Sequence, residues 1–158
     1  MSFSTVLDDR RVADWVLART PLPQRKGFDA QPDYPLRGIG YEVEGDIVAG
    51  FIFMNHAPWL KNIEVGIALE TKAPVLRGIL KHAMIYPFVQ LGCQRVTAYI
   101  PKRADKSRKL VQAVGFVEEG NIRHGFGTDD CMVYGLLKRE AQKKWRFDEL
   151  LTNSALQA

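Results

Sequence analysis

The stretch SRKLVQAVGFVEEGNIRHGFGTDDCMVYGLLKRE, residues 107–140, changes period twice within a few residues. DKSRKLVQAV, just overlapping its start, reads as a short helix that stops at Gly115. GFVEEGNIRHGF then reads as a strand, and DDCMVYGLLKRE as a final strand opposite it. Glu118 and Glu119 alternate on the first of these, so only one faces the interior.

Upstream, CQRVTAYI reads as a strand, preceded by the helix KAPVLRGILKHAMIYPFVQLG. That helix opens at Pro74, carries Leu76, Leu80, Ala83 and Pro87 on one face, kinks near Pro87 and stops at Gly92. NIEVGIALE before it is another strand, and GIGYEVEGDIVAGFIFMN is a hairpin about Glu44-Gly45-Asp46. A strand-helix-strand unit demands a parallel pair and hairpins demand antiparallel ones. The sheet is therefore mixed, of about six to seven strands with flanking helices, an α/β (α+β) fold.

At the start, DDRRVADWVLART places Val12, Trp15, Val16 and the stem of Arg19 at helical spacing, with Asp8 or Asp9 as N-cap. The segment from Pro21 to Arg37 holds Pro21, Pro23, Pro32 and Pro35 and reads as a long irregular loop of the kind that shapes a pocket. Residues 1–140 are expected to form one domain, and 141–158 a helical tail presenting Trp145, Phe147, Leu150 and Leu151 to a groove or a dimer contact. The final strand near Tyr134 offers a second route to a dimer, by pairing across a two-fold axis.

Composition narrows the function classes. With 158 residues and 46% hydrophobic content the chain builds an ordinary core. A net charge of +4 favours anionic partners without choosing among them. Cys93 and Cys131 lie far apart and the histidines are only His56, His82 and His124, so no zinc spacing is present and reduced thiols in the cytoplasm are expected. No run approaches the ~20 apolar residues of a membrane span, and no signal-peptide core opens the chain.

The spaced residues Ser107, Gly115-Phe116, Glu119-Gly120, Arg123, Asp130, Tyr134-Gly135-Leu136-Leu137 and Glu140 resemble the ending pattern of the GNAT acyltransferase superfamily. Within it they are similar to the branch of the ribosomal-protein acetyltransferases RimJ and RimL and small phage-encoded relatives, with host cytoplasm as the location in the phage case. The resemblance runs from about Gly38 to Glu140. It implies a splayed parallel pair, Asn62 to Leu69 and Gln94 to Ile100, with the pantetheine arm of acetyl-CoA inserted between them against Val65, Ile67 and Leu69. It also implies a pyrophosphate at the following helix N-terminus. There TKAPVLRGIL departs from the family loop: Gly78 stands at its first glycine, Val75 at the basic place and Leu80 at the small one, with Lys72 and Arg77 as substitute phosphate partners.

Ala104 stands where the family carries a cofactor-contacting asparagine, and Val111 where many members carry a tyrosine. Lys102, Arg103, Lys106, Arg108 and Lys109 form a basic cluster that suits the 3'-phosphate of coenzyme A, a nucleic-acid backbone, or simply a solvated helix face. Acyl transfer needs a neutral amine, so a carboxylate must take the proton of an ammonium with pKa near ~10. Glu64, in NIEVGI, resembles the family residue placed for that task. Ser107 resembles the serine near the sulfur, with helix capping, for which Asp105 competes, as its other role. Backbone N–H groups from Val65 to Ile67 suit an oxyanion site. His56, Trp59 and His124 are expected near the acceptor's approach, and neither cysteine is expected at a nucleophile's place. The implied activity is acetyl-CoA-dependent transfer to a primary amine, on a protein N-terminus or a small molecule, directly within a ternary complex. The rival is an inactive GNAT-fold binding module, with nucleic acid as one partner. No metal is expected, and a homodimer is.

Overall fold

Glu44 and Gly45 both take positive φ, 53° and 89°, the turn geometry that matches the twist of two flanking strands. This fixes the hairpin of β2 (Leu36–Val43) and β3 (Asp46–Ala57). The computed structural model describes residues 2–20, 36–70 and 74–157, with side chains described up to 152. The Pro-rich loop from 21 to 35 and Lys72 lie outside the described residues.

The remaining elements follow in order: β1 (Ser4–Val6), α1 (Asp9–Leu17), β4 (Asn62–Leu69), α2 (Val75–Ala83), β5 (Arg95–Pro101), α3 (Asp105–Val114), β6 (Val117–Phe126), β7 (Asp129–Leu137), α4 (Lys138–Trp145) and α5 (Asp148–Gln157). They build a seven-stranded mixed sheet in the order β1-β2-β3-β4-β5-β7-β6. β4 and β5 are the parallel pair, and every other pairing is antiparallel. The expected α/β sheet with flanking helices is what forms.

Asp8, rather than Asp9, caps α1, accepting from the Arg11 N–H at 3.0 Å, while Asp9 accepts from the Gly38 N–H at 2.8 Å. α1 lies so close to the sheet that a Cβ on Gly50 would stand 2.5 Å from Val16 Cγ2. Val12 and Val16 pack there with Ile52, Met54 and Ala68. The opposite face carries the larger core, in which Tyr41, Phe51, Phe88, Tyr134 and Leu136 meet α2, α3 and α4.

Several details of these elements differ from expectation or add to it. A short strand, β1, precedes α1 and pairs with β2 at Ser4↔Glu42 to Val6↔Gly40. The buried face of α2 is Val75, Ile79, Leu80 and Ala83, with Leu76 only partly buried, and the buried Pro87 lies past the helix, which ends at Ala83. The kink at Pro87 takes the form of a wide turn over Tyr86–Gln90, in which the Leu91 N–H reaches back to the Tyr86 carbonyl, since proline offers no N–H to continue the ladder. The last strand ends at Leu137, where Glu140 Oε1 accepts the Leu137 N–H at 2.9 Å and opens α4.

β7 lies between β5 and β6, so both its edges are occupied and Tyr134 cannot pair across a two-fold axis; β1 and β6 are the sheet edges. Trp145 donates from Nε1 to the Val114 carbonyl at 2.8 Å, and Phe147 stacks on Phe88 with centroids 5.9 Å apart. Both side chains are buried in the main core, within this chain. Among the described residues no helix is long and apolar enough to cross a membrane.

Candidate active site

β4 and β5 are paired only at Asn62↔Arg95, Ile63↔Val96 and Glu64↔Thr97. Beyond Glu64 the strands diverge, so alternate backbone groups of β4 from Val65 to Leu69 point into a gap with no strand partner on that side. A polar knot closes the root of this V. Thr97, the one buried polar residue among those described, donates to Asn62 Oδ1 at 2.8 Å and accepts from Arg95 Nε at 2.8 Å. Arg95 in turn forms a two-pronged pair with Glu119 across the sheet surface.

The gap opens into a cavity of about 390 Å³. Strand alternation divides its walls. Val65, Ile67, Ala98 and Ile100 face the α3 side, where Ser107 and Val111 complete the lining. Glu64, Gly66, Tyr99 and Pro101 face the α1 side, with Met54 and Thr20, while Ile122, Gly125, Phe126 and Cys131 arrive from the β6-β7 hairpin.

Glu64 thus stands where the strands part. Its Oε2 accepts from Asn55 Nδ2 at 3.0 Å, which leaves Oε1 for a proton or an ammonium. Tyr99 is held above the usual tyrosine range by burial and then by the Glu64 charge. The Cys131 thiol is likewise pushed up by burial, partly offset by a backbone hydrogen bond at Ile100, with Glu64 raising it further. Glu64 therefore acts electrostatically on both groups across the cavity. Cys131 thus lines the cavity, in an environment that keeps its thiol protonated. Thr20 Oγ1 is buried and has no hydrogen-bond partner.

Of the expected site residues, Glu64, Val65, Ile67 and Ser107 meet at the cavity. Ser107 sits in the first turn of α3 and caps nothing; Ala104 is the N-cap, with no side-chain bond, and Asp105 is the first helical residue. Leu69 lies at the far end of β4 and Arg77 is exposed on α2. Gly78 faces Phe3, whose Cε1 would stand 3.3 Å from an added Cβ. Lys106 and Lys109 are exposed on α3, with Lys102 and Arg103 before it. Arg108 is not part of that exposed cluster, because it donates to Tyr134 Oη at 2.9 Å, Glu118 Oε1 at 2.9 Å and the Lys102 carbonyl at 3.1 Å.

His56 follows Asn55, which has φ 53°, in the irregular end of β3, and its Nε2 is buried without a partner. Trp59 is 80% exposed and does not line the cavity. His124 is committed to the β6-β7 hairpin, its N–H on Asp130 Oδ1 and its Nδ1 at 2.7 Å from the Gly127 carbonyl. Glu118 and Glu119 point to opposite faces, each held below the ordinary carboxylate range by its arginine.

Tyr99, Cys131, Ile122, Phe126, Met54 and Thr20 were not anticipated from the sequence. Tyr99 alone carried a local signal, since it alternates with the buried Ala98 and Ile100 on a strand expected to splay. The others are brought in by α1, β3 and the inserted β7.

No family model matches the sequence, and no curated protein sequence matches it. Solved structures do. One described as a probable acetyltransferase has 21% identity and TM-score 0.62, over 87% of this chain and 94% of that one. A chimera of the Vibrio cholerae spermidine N-acetyltransferase has 14% identity and TM-score 0.67, over 89% and 98%. The dodecameric form of that Vibrio cholerae enzyme has 16% identity and TM-score 0.64, over 89% and 95%. At these identities the likeness is one of architecture, and the chain shares the fold of these acetyltransferases.

Proposed function

We propose that this chain is an acetyl-CoA-dependent N-acetyltransferase that acts on a primary amine, of a small molecule or a protein N-terminus, by direct transfer within a ternary complex. The carrying observation is the cavity through the β4-β5 gap, with Glu64 toward one face and Ser107 toward the other. The chain's own groups suit the donor. The gap-facing backbone groups of Val65 to Leu69, which have no strand partner on that side, match an amide-bearing arm, and the first turn of α3, with exposed Lys106 and Lys109, suits its phosphates. Lys72, Arg77 and Gly78 are the proposed contacts at the α2 end, with Ala104 at the α3 end.

When bound, acetyl-CoA supplies the acyl group as a thioester whose sulfur departs without a strong acid, thiols having pKa near ~8.5. Glu64 Oε1 takes the proton from the acceptor ammonium and frees its lone pair. Asn55 steadies that carboxylate through Oε2. Backbone N–H groups from Val65 to Ile67 would polarise a thioester carbonyl held in the cavity, and the Ser107 hydroxyl would be available to hydrogen-bond its sulfur. Val111 presents no hydroxyl to the cavity, so Ser107 stands alone for that role on the α3 side. Ser107, Gly115-Phe116 and Glu119-Gly120 support a reading within the RimJ/RimL-like branch and its phage relatives, acting in the cytoplasm with Cys93 and Cys131 as free thiols.

A calorimetric titration with acetyl-CoA, paired with a thiol-release assay over an amine panel, tests the reading. Glu64→Gln is expected to bind acetyl-CoA as the parent does and to lose about 10²–10⁴-fold in kcat/KM. Absence of acetyl-CoA binding by the parent would reject it. The exposed Lys102, Arg103, Lys106 and Lys109 favour a second reading, a non-catalytic module for nucleic acid. Affinity for DNA or RNA that falls steeply with salt, without thiol release, would establish that one.

A further inference from the structure

The two mouths of the cavity differ in chemistry. On the α1 side the walls beyond Glu64 are Met54, Tyr99, Pro101, Ile122 and Phe126, and Glu64 is the only carboxylate among the described lining residues. The acids nearest that hairpin are already engaged: Glu119 by Arg95, Asp129 by the Arg103 N–H, and Asp130 by the His124 N–H. Tyr99 and Ile122 stay 40% and 49% exposed, so an apolar shelf continues outward from the mouth. The buried, unpartnered Thr20 hydroxyl adds one more acceptor to the lining.

Among the described residues such a site balances one positive charge and no more. An ammonium donates to Glu64 and finds a further acceptor in Thr20, while the carbon skeleton behind it meets apolar walls. A second ammonium a few bonds along would lie against Met54, Ile122 or Phe126, stripped of water and without a counter-charge. An aryl or branched alkyl group in the same place instead removes apolar surface from water on both partners.

We infer that the acceptor is a monoamine bearing a bulky apolar substituent, an arylalkylamine or a higher alkylamine, and that polyamines are rejected. This rests on the cavity being the acyl-transfer site. The polyamine named for the Vibrio cholerae structures is therefore not the expected acceptor here, despite the shared fold.

The test compares phenethylamine, butylamine and spermidine with the full chain, by thiol release at saturating acetyl-CoA and by ligand-observed NMR binding. Phenethylamine is expected to exceed spermidine in kcat/KM by on the order of 10²-fold, with butylamine between them. Ile122→Ser, at a half-exposed position, is expected to lower the phenethylamine rate several-fold and so narrow its lead over spermidine. Spermidine turned over as well as phenethylamine, or a preference indifferent to Ile122→Ser, overturns the inference. If no amine releases thiol, the transferase reading fails on its own. NMR then still decides the ligand class: phenethylamine binding that Ile122→Ser weakens upholds it, and equal or absent binding of the amines overturns it.

Discussion

Thr97→Val removes one oxygen from the root of the V and changes little else in shape. In the parent that oxygen donates to Asn62 Oδ1 and accepts from the Arg95 guanidinium, both at 2.8 Å. A neutral hydrogen bond contributes about 1 kcal/mol and one to a charged group about 1.5–3 kcal/mol. Water reaches Arg95, whose side chain is 30% exposed, and takes over part of the loss there. The expected net cost is about 2–3 kcal/mol, a fall in Tm of roughly 4–12 °C for a domain of this size. Thr97→Ser keeps the oxygen and is expected to recover most of it. Differential scanning fluorimetry reads both variants, and calorimetry reads acetyl-CoA affinity, which should drop in the valine variant because the gap loses its fixed apex. A Tm change under about 1 °C, or a serine variant as damaged as the valine one, would refute the reasoning.

Gly135→Ala places a Cβ into the Arg95–Glu119 pair and is expected to cost about 1–3 kcal/mol by urea denaturation, with a smaller cost in a Glu119→Ala background. Burial lowers the His82 pKa, and its Nδ1 lies 2.8 Å from Tyr41 Oη. The unfolded chain therefore binds the extra proton first, and stability falls as pH drops below about 6.5. Urea midpoints at pH 7.5 and 5.5 measure this, and His82→Gln should flatten that part of the profile. Trp145→Phe forfeits the hydrogen bond to the Val114 carbonyl and is expected to lose about 1–3 kcal/mol in the same assay.

Much of the sheet was legible because its signals are local. Glu44-Gly45 announces a hairpin by needing positive φ, and Gly115, at φ 121°, ends α3 as its place after Val114 suggests. Several residues of the family-like ending pattern turn out to hold structure: Phe116 and Tyr134 are buried, Glu119 pairs with Arg95 and Glu140 opens α4. The cavity lining was legible only where it lies on the splayed strands themselves, at Glu64, Val65 and Ile67, and at Ser107. Cys131, Ile122 and Phe126 were hidden because β7 inserts between β5 and β6, a long-range choice that alternation within one strand does not encode. Thr20 was hidden because α1 must first dock on β3.

The three-residue contact between β4 and β5 makes the sheet two antiparallel plates joined by a narrow seam. The main core bridges that seam on the α2 side, whereas α1 covers only the first plate. Amide hydrogen exchange should therefore be fastest in β4 beyond Glu64, the rim of the seam, and slower within each plate. A molecule lodged in the gap would act as a clasp. It would contribute RT ln(1 + [L]/Kd) to the stability of the whole chain, and protect both rims of the seam together.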